Sequence, residues 1–205
     1  FRRLGPRHAT KLAVCDQPAM NVDALMQLLA AAQALCGHRD YVVIGSLSVL
    51  GMAQVEAIPR DMTLSIDADC YTLADPPRVF DLAIQLGEGS PYHQQHGVYL
   101  DPVSPHLPTL PQGWAQRLIL IERPPVVAHC LDANDAAISK LARGEPRDLR
   151  WVRAGLQANL MSVPMLRLRL RQTMFLDAAE QQATELRLAE LAGSVKPTPQ
   201  SDATH

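Results

Sequence analysis

The segment Met62 to Asp69, MTLSIDAD, constrains the fold more than any other stretch of the chain. Leu64, Ile66 and Ala68 alternate with Ser65, Asp67 and Asp69, the period-2 pattern of a strand with one face in a core and the other in water. Asp67 and Asp69 therefore point to the same side. Two residues of strand rise separate them by ~7 Å, close enough for both carboxylates to bind hard cations through oxygen. Upstream, Tyr41-Val42-Val43-Ile44 reads as a short apolar strand, Gly45-Ser46 breaks it, and Leu47 to Met52 fits a brief helix. A Gly-Ser turn at a helix start offers backbone N–H groups and a hydroxyl to phosphate oxygens. Mg²⁺ (or Mn²⁺) takes few protein carboxylates and completes its shell with substrate phosphates. Asp67, Asp69, Gly45 and Ser46 thus outline a pocket for a metal-bound triphosphate. Taken singly, an Asp-x-Asp also reads as two solvated carboxylates and a Gly-Ser as an ordinary turn. Their order along the chain is what joins them.

The remaining pattern supplies a scaffold. Asn21 caps a predicted helix over 22–36, which Gly37 ends. Pro77 to Gly87 reads as a helix, and Gly97 to Asp101 as a strand that closes on a carboxylate. Pro102, Pro105, Pro108 and Pro111 then exclude a central strand up to Gly113. Arg117 to Ile121 and Pro125 to Cys130 read as strands, followed by helices over Asn134–Arg143, Arg147–Leu160, Pro164–Gln172 and Asp177–Ala192. The expected fold class is α+β, a mixed β-sheet flanked by helices with a helical C-terminal part. The expected division is a basic N-terminal segment 1–20, an α/β core 21–131, the helical part 132–193 and a flexible tail 194–205.

Composition narrows the function classes. With 47% apolar residues in 205, the chain can bury a core, and 19 basic against 21 acidic residues leave a net charge of −2. No global positive field draws nucleic acid or an anionic bilayer. Asp40 and Glu56 bracket 15 uncharged residues, fewer than the ~20 of a spanning helix, so no membrane association is expected. Asp16, Asp23 and the glutamines within Ala24–Cys36 make a poor signal peptide. Cys15, Cys36, Cys70 and Cys130 are scattered, which argues against structural zinc and a disulfide framework and favours a reducing cytoplasm. His93, His96, His106 and His129 lack metal-ligand spacing. Arg143, Arg147, Arg150 and Arg153 recur at steps of three and four residues, which reads as a solvated helix face first and an RNA-phosphate contact second.

Four stretches in order, VVIGSLSVLG (42–51), MTLSIDAD (62–69), HGVYLDPVSPHLPTLPQGWAQRL (96–118) and DANDAAISKLARGEPRDLRWV (132–152), resemble the nucleotidyltransferase superfamily. Within it they are most similar to bacterial AbiEii-type toxins of abortive-infection and toxin–antitoxin systems. The resemblance implies Asp67 and Asp69 as metal carboxylates, with Asp101 as a third. It implies Gly45 and Ser46 as the phosphate-binding turn, Lys140 as a triphosphate ligand, and Asp148 among the catalytic residues, with Asp135 as a further flanking carboxylate. Seen as residues alone, Lys140 reads equally as a surface lysine and Asp148 as a first-turn helix carboxylate. The implied activity is Mg²⁺-dependent transfer of a nucleotidyl group from a nucleoside triphosphate to a hydroxyl of tRNA or protein, with an antitoxin as a possible partner. The alternative is a non-catalytic nucleotide- or partner-binding protein of the same fold. Two departures favour that alternative: the long gap between Gly45-Ser46 and Asp67, and Glu145 where relatives commonly carry Arg.

Overall fold

The computed structural model describes residues 20–53, 57–106 and 108–194; the expectations for the basic N-terminal segment and for the tail beyond 194 lie outside them. Helix α1 (Val22–Cys36) starts on Asn21, whose side chain accepts from the Ala24 amide, and stops at Gly37 in the left-handed region. Strands β1 (Asp40–Val43), β2 (Asp67–Thr72), β3 (Tyr99–Pro102), β4 (Ile119–Arg123) and β5 (Val126–Cys130) follow in sequence. They form one mixed sheet in the order β3-β2-β1-β5-β4. The pairs β1–β2 and β4–β5 are antiparallel, whereas β1–β5 and β2–β3 are parallel. The α+β architecture expected from the sequence is therefore the one observed.

Helices α2 (Ala83–Leu86) and α3 (Pro91–His96) lie between β2 and β3. After the sheet come α4 (Ala133–Arg143), α5 (Pro146–Gln157), α6 (Val163–Arg171) and α7 (Ala178–Ser194). A 3₁₀ turn over Ser46–Met52 packs against β2, β4, β5 and α4, linking the sheet to the C-terminal helices. Gly51 makes this approach possible, because a Cβ there would lie 2.8 Å from the Cys130 side chain.

Several boundaries differ from the sequence pattern, each for a physical reason. The strand expected over 62–69 begins instead at Asp67 and runs to Thr72, so the two aspartates open it rather than close it. Cys70, Tyr71 and Thr72 are buried in succession, and continuous burial carries no period-2 signal. Leu64, expected on the apolar face, is 56% exposed. The helix expected over Pro77–Gly87 is mostly a 3₁₀ segment, Pro76–Leu82, with α2 as its last turn. Helix α3 carries no helical signal in the sequence, because none of its residues is buried and it shows no apolar face. Strand β4 sits two residues later than expected, since a 3₁₀ turn takes up Trp114–Arg117.

Candidate active site

β1 ends against the middle of β2, with Val43 opposite Cys70 and the Ile44 amide donating to the Asp69 carbonyl at 2.9 Å. That register delivers Gly45 onto the Asp69 side chain. At φ 69° and ψ −151°, Gly45 holds a conformation open almost only to glycine. A Cβ on it would stand 2.0 Å from Asp69 Oδ2. The Gly-Ser turn and the Asp-x-Asp pair, separate signals in the sequence, are thus in van der Waals contact.

Asp101 enters from the neighbouring strand, paired in register with Asp69 across β2 and β3. One oxygen from each of Asp67, Asp69 and Asp101 lies within 4.8 Å of the other two. Three carboxylates this close repel one another unless protonated or bridged by a cation. Burial, with added repulsion from Asp67 and Asp101, pushes the Asp69 carboxyl up to about 7. Burial and the Asp67 charge also raise Asp101. An all-oxygen donor set suits a hard divalent ion. These residues fit such a metal. Ser65, whose hydroxyl donates to Asp67 Oδ1, fixes one of the carboxylates.

The opposite wall is cationic. Lys140, on α4 and only 4% exposed, donates from Nζ to Ser46 Oγ at 2.9 Å and to Asp148 Oδ1 at 3.2 Å. Its ammonium also stands 4.9 Å from the centroid of the Trp151 ring. Burial lowers the Lys140 pKa, against the pull of Asp148. Asp148 lies in the first turn of α5 and is closed from solvent, and Arg143 grips it through two hydrogen bonds of 2.6 Å. Burial alone raises the Asp148 carboxyl, but the Arg143 hydrogen bond and the Lys140 charge outweigh it and hold the group below the usual carboxylate range. Trp151 Nε1 donates to the carbonyls of Ser46 and Met62 at 3.2 and 3.1 Å. The long connection before Asp67 is tied to the Gly-Ser turn through this one indole.

Between these walls lies a cavity of about 510 Å³, within the range of nucleotide-sized ligands. Gly45, Ser46, Asp67, Asp69, Asp101 and Lys140 line it. Asp148 does not; it stands behind Lys140. Asp135 is also remote, fully buried and paired with Arg117 and Arg169, where it ties α4 to α6 and to the segment before β4. Glu145 is outside the lining as well, whereas Arg143 and Arg147 take part. The charge that Glu145 removes from the motif is not withdrawn from the pocket itself. Sequence reasoning assigned no role to Ser65, Trp151 or Glu180. Ser65 and Trp151 fall inside the resembling stretches and were findable there; Glu180, which reaches the cavity from α7, lies outside all four.

Comparison with known proteins adds a family. A family model described as "Nucleotidyltransferase of unknown function (DUF6036)" matches residues 23–191. No curated protein and no solved structure gives a match.

Proposed function

The chain belongs to this nucleotidyltransferase family, and from that membership we propose that it moves a nucleotidyl group from a nucleoside triphosphate to a hydroxyl acceptor with Mg²⁺ or Mn²⁺ as cofactor. The observation that carries the reading is the convergence of three carboxylates, the Gly45 turn and Lys140 on one cavity. Asp67, Asp69 and Asp101 would hold the cation. A cation bound there lowers the acceptor hydroxyl's pKa and neutralises charge on the triphosphate.

The residues divide the remaining work. Gly45 and Ser46 fix the β- and γ-phosphates, and Lys140 sets positive charge where the leaving pyrophosphate develops negative charge. The acceptor oxygen bonds to the α-phosphorus as the α–β P–O bond breaks. Pyrophosphate leaves with the bonding electrons, and the hydroxyl proton passes to a carboxylate of the cluster. Asp148 is a positioning residue: it keeps Lys140 charged and aimed at Ser46 despite burial. Positioning and electrostatics supply most of the acceleration in such chemistry.

Purified protein with Mg²⁺ and α-³²P-labelled nucleotides is expected to label an RNA or protein acceptor in a bacterial extract, and Asp67→Asn to abolish the label. Label transfer that survives this substitution would overturn the assignment. We place the reaction in the cytoplasm, a setting that suits the free thiols of Cys36, Cys70 and Cys130. None of the described helices is long and apolar enough to cross a membrane. A toxin role with an antitoxin partner rests on the resemblance of four stretches within residues 41–152, the 132–152 stretch above all, to AbiEii-type toxins. Growth arrest on induction, absent with Asp67→Asn, is its test.

A further inference from the structure

A second cavity, of about 290 Å³, adjoins the first along Ser46, Ser65 and Asp67. These three residues and Arg147 belong to the lining of both cavities. Asp67 therefore borders both spaces. With a triphosphate in the larger space, the smaller one still gives a hydroxyl access to Asp67. The smaller cavity adds Arg150, one helical turn beyond Arg147 on α5. Neither guanidinium has a hydrogen bond or an ion pair to another described residue, although Arg143 on α4 is engaged by Asp148. Asp61 also lines this space, and Asp67 is committed to the metal cluster on the proposed reading. With Asp67 taken up by a cation, two arginines would face Asp61 alone across this space.

We propose that this second cavity is the acceptor site, and that it selects an acceptor carrying a phosphate close to its reactive hydroxyl, with Arg147 and Arg150 as the phosphate clamp and Asp67 beside the hydroxyl. The proposal rests on the nucleotidyl-transfer reading and goes past it by naming the acceptor's chemistry. Guanidinium groups bind phosphate in a bidentate manner, which an uncharged hydroxyl side chain of a protein cannot exploit. The exposed Leu64 side chain on the same lining offers an apolar surface to a base or sugar. Both a mononucleotide and the end of a polynucleotide have this combination of hydroxyl, phosphate and ring.

The test is direct binding. A 5′-fluorescein single-stranded RNA hexamer with a free 3′-hydroxyl is titrated with protein and followed by anisotropy at several salt concentrations, with uridine monophosphate as a competitor. Arg150→Ala is expected to weaken the hexamer at least 10-fold and to reduce the slope of log K against log salt by about 1. Arg153→Ala, on the same helix but outside the lining, is expected to change binding less than about 2-fold. If the monophosphate competes through the same Arg150 dependence, the phosphate source is a single nucleotide; if it does not compete, the source is a polymer. Equal weakening by Arg150→Ala and Arg153→Ala, or no binding of either phosphate ligand, overturns the proposal. The parent reading fails separately, if the wild-type protein shows no divalent-dependent binding of any nucleoside triphosphate.

Discussion

At the scale of a residue, the site depends on one atom that is missing. Gly45 combines a backbone conformation closed to side chains with a neighbour, Asp69, that occupies the space a Cβ would need. Gly45→Ala therefore meets two penalties. The strained backbone costs about 1–3 kcal/mol, and relief of the clash moves either the turn or the carboxylate. Moving Asp69 breaks the cluster; moving the turn takes Ser46 from Lys140. The expected outcome is a modest fall in melting temperature together with loss of the extra stabilisation that Mn²⁺ is expected to give the wild-type protein. Thermal melts with and without Mn²⁺ read both effects. A Gly45→Ala protein that keeps the full Mn²⁺ increment would show that the contact with Asp69 does not shape the metal site. The sequence made the residue types of this contact legible, since Gly-Ser and Asp-x-Asp are local signals. Their contact was not legible, because it arises from the antiparallel register of β1 and β2, and register depends on pairing over a long loop.

At the scale of elements, α4 and α5 act as one unit through a buried charge pair. Lys140 comes from one helix and Asp148 from the next, and neither is more than 4% exposed. A lysine removed from water stays charged only if a carboxylate compensates it. Asp148→Ala is expected to cost about 3–5 kcal/mol, because the buried ammonium is left with Ser46 as its hydrogen-bond partner and Arg143 loses its anchor. Arg143→Ala is expected to cost less, since half of the Arg143 side chain is exposed and Lys140 keeps its carboxylate. Urea unfolding of the two variants measures the difference, and equal losses would mean that Lys140 is neutral in the folded protein. The helical period of residues 134–143 announced α4, and Pro146 announced the start of α5. What spacing alone could not decide was whether Lys140 and Asp148 were solvated or buried. Each is an ordinary surface residue in one dimension, and only the packing of α5 on α4 closes them off. The same reason hides Asp135, a helix-start carboxylate by position that is fully buried between two arginines.

For the whole molecule, the acidic cluster makes stability depend jointly on pH and on divalent cation. In the metal-free fold the Asp69 carboxyl titrates near 7, against an ordinary value of about 3.8, with burial as the first cause and Asp67 and Asp101 as the next. Between those values the folded state keeps a proton that the unfolded chain has released. Stability therefore falls as pH rises through this window and levels off above about 7, by an amount on the order of 4 kcal/mol at the most. Asp69→Asn removes this contribution, so without metal the variant is expected to be the more stable protein at pH 8, and the two are expected to converge toward pH 4. A cation reverses the ranking. It is expected to bind the ionised cluster, compete with the proton on Asp69, and stabilise the wild type by an increment that grows from pH 5.5 to pH 8. Carboxylates remote from the cluster titrate alike in both proteins, and taking the wild type against the variant at each pH cancels them; Asp67 and Asp101 titrate jointly with Asp69, so the comparison reads the cluster as a unit. Melting temperatures of both, with Mg²⁺ or with chelator across this range, give the full comparison. A Mg²⁺ increment of equal size in Asp69→Asn, or one that shrinks with rising pH in the wild type, would mean that the cation binds somewhere other than the three carboxylates. On the proposed reading, a bound cation would remove the repulsion that destabilises the cluster, and the sheet register that joins β1, β2 and β3 is what keeps the three carboxylates assembled.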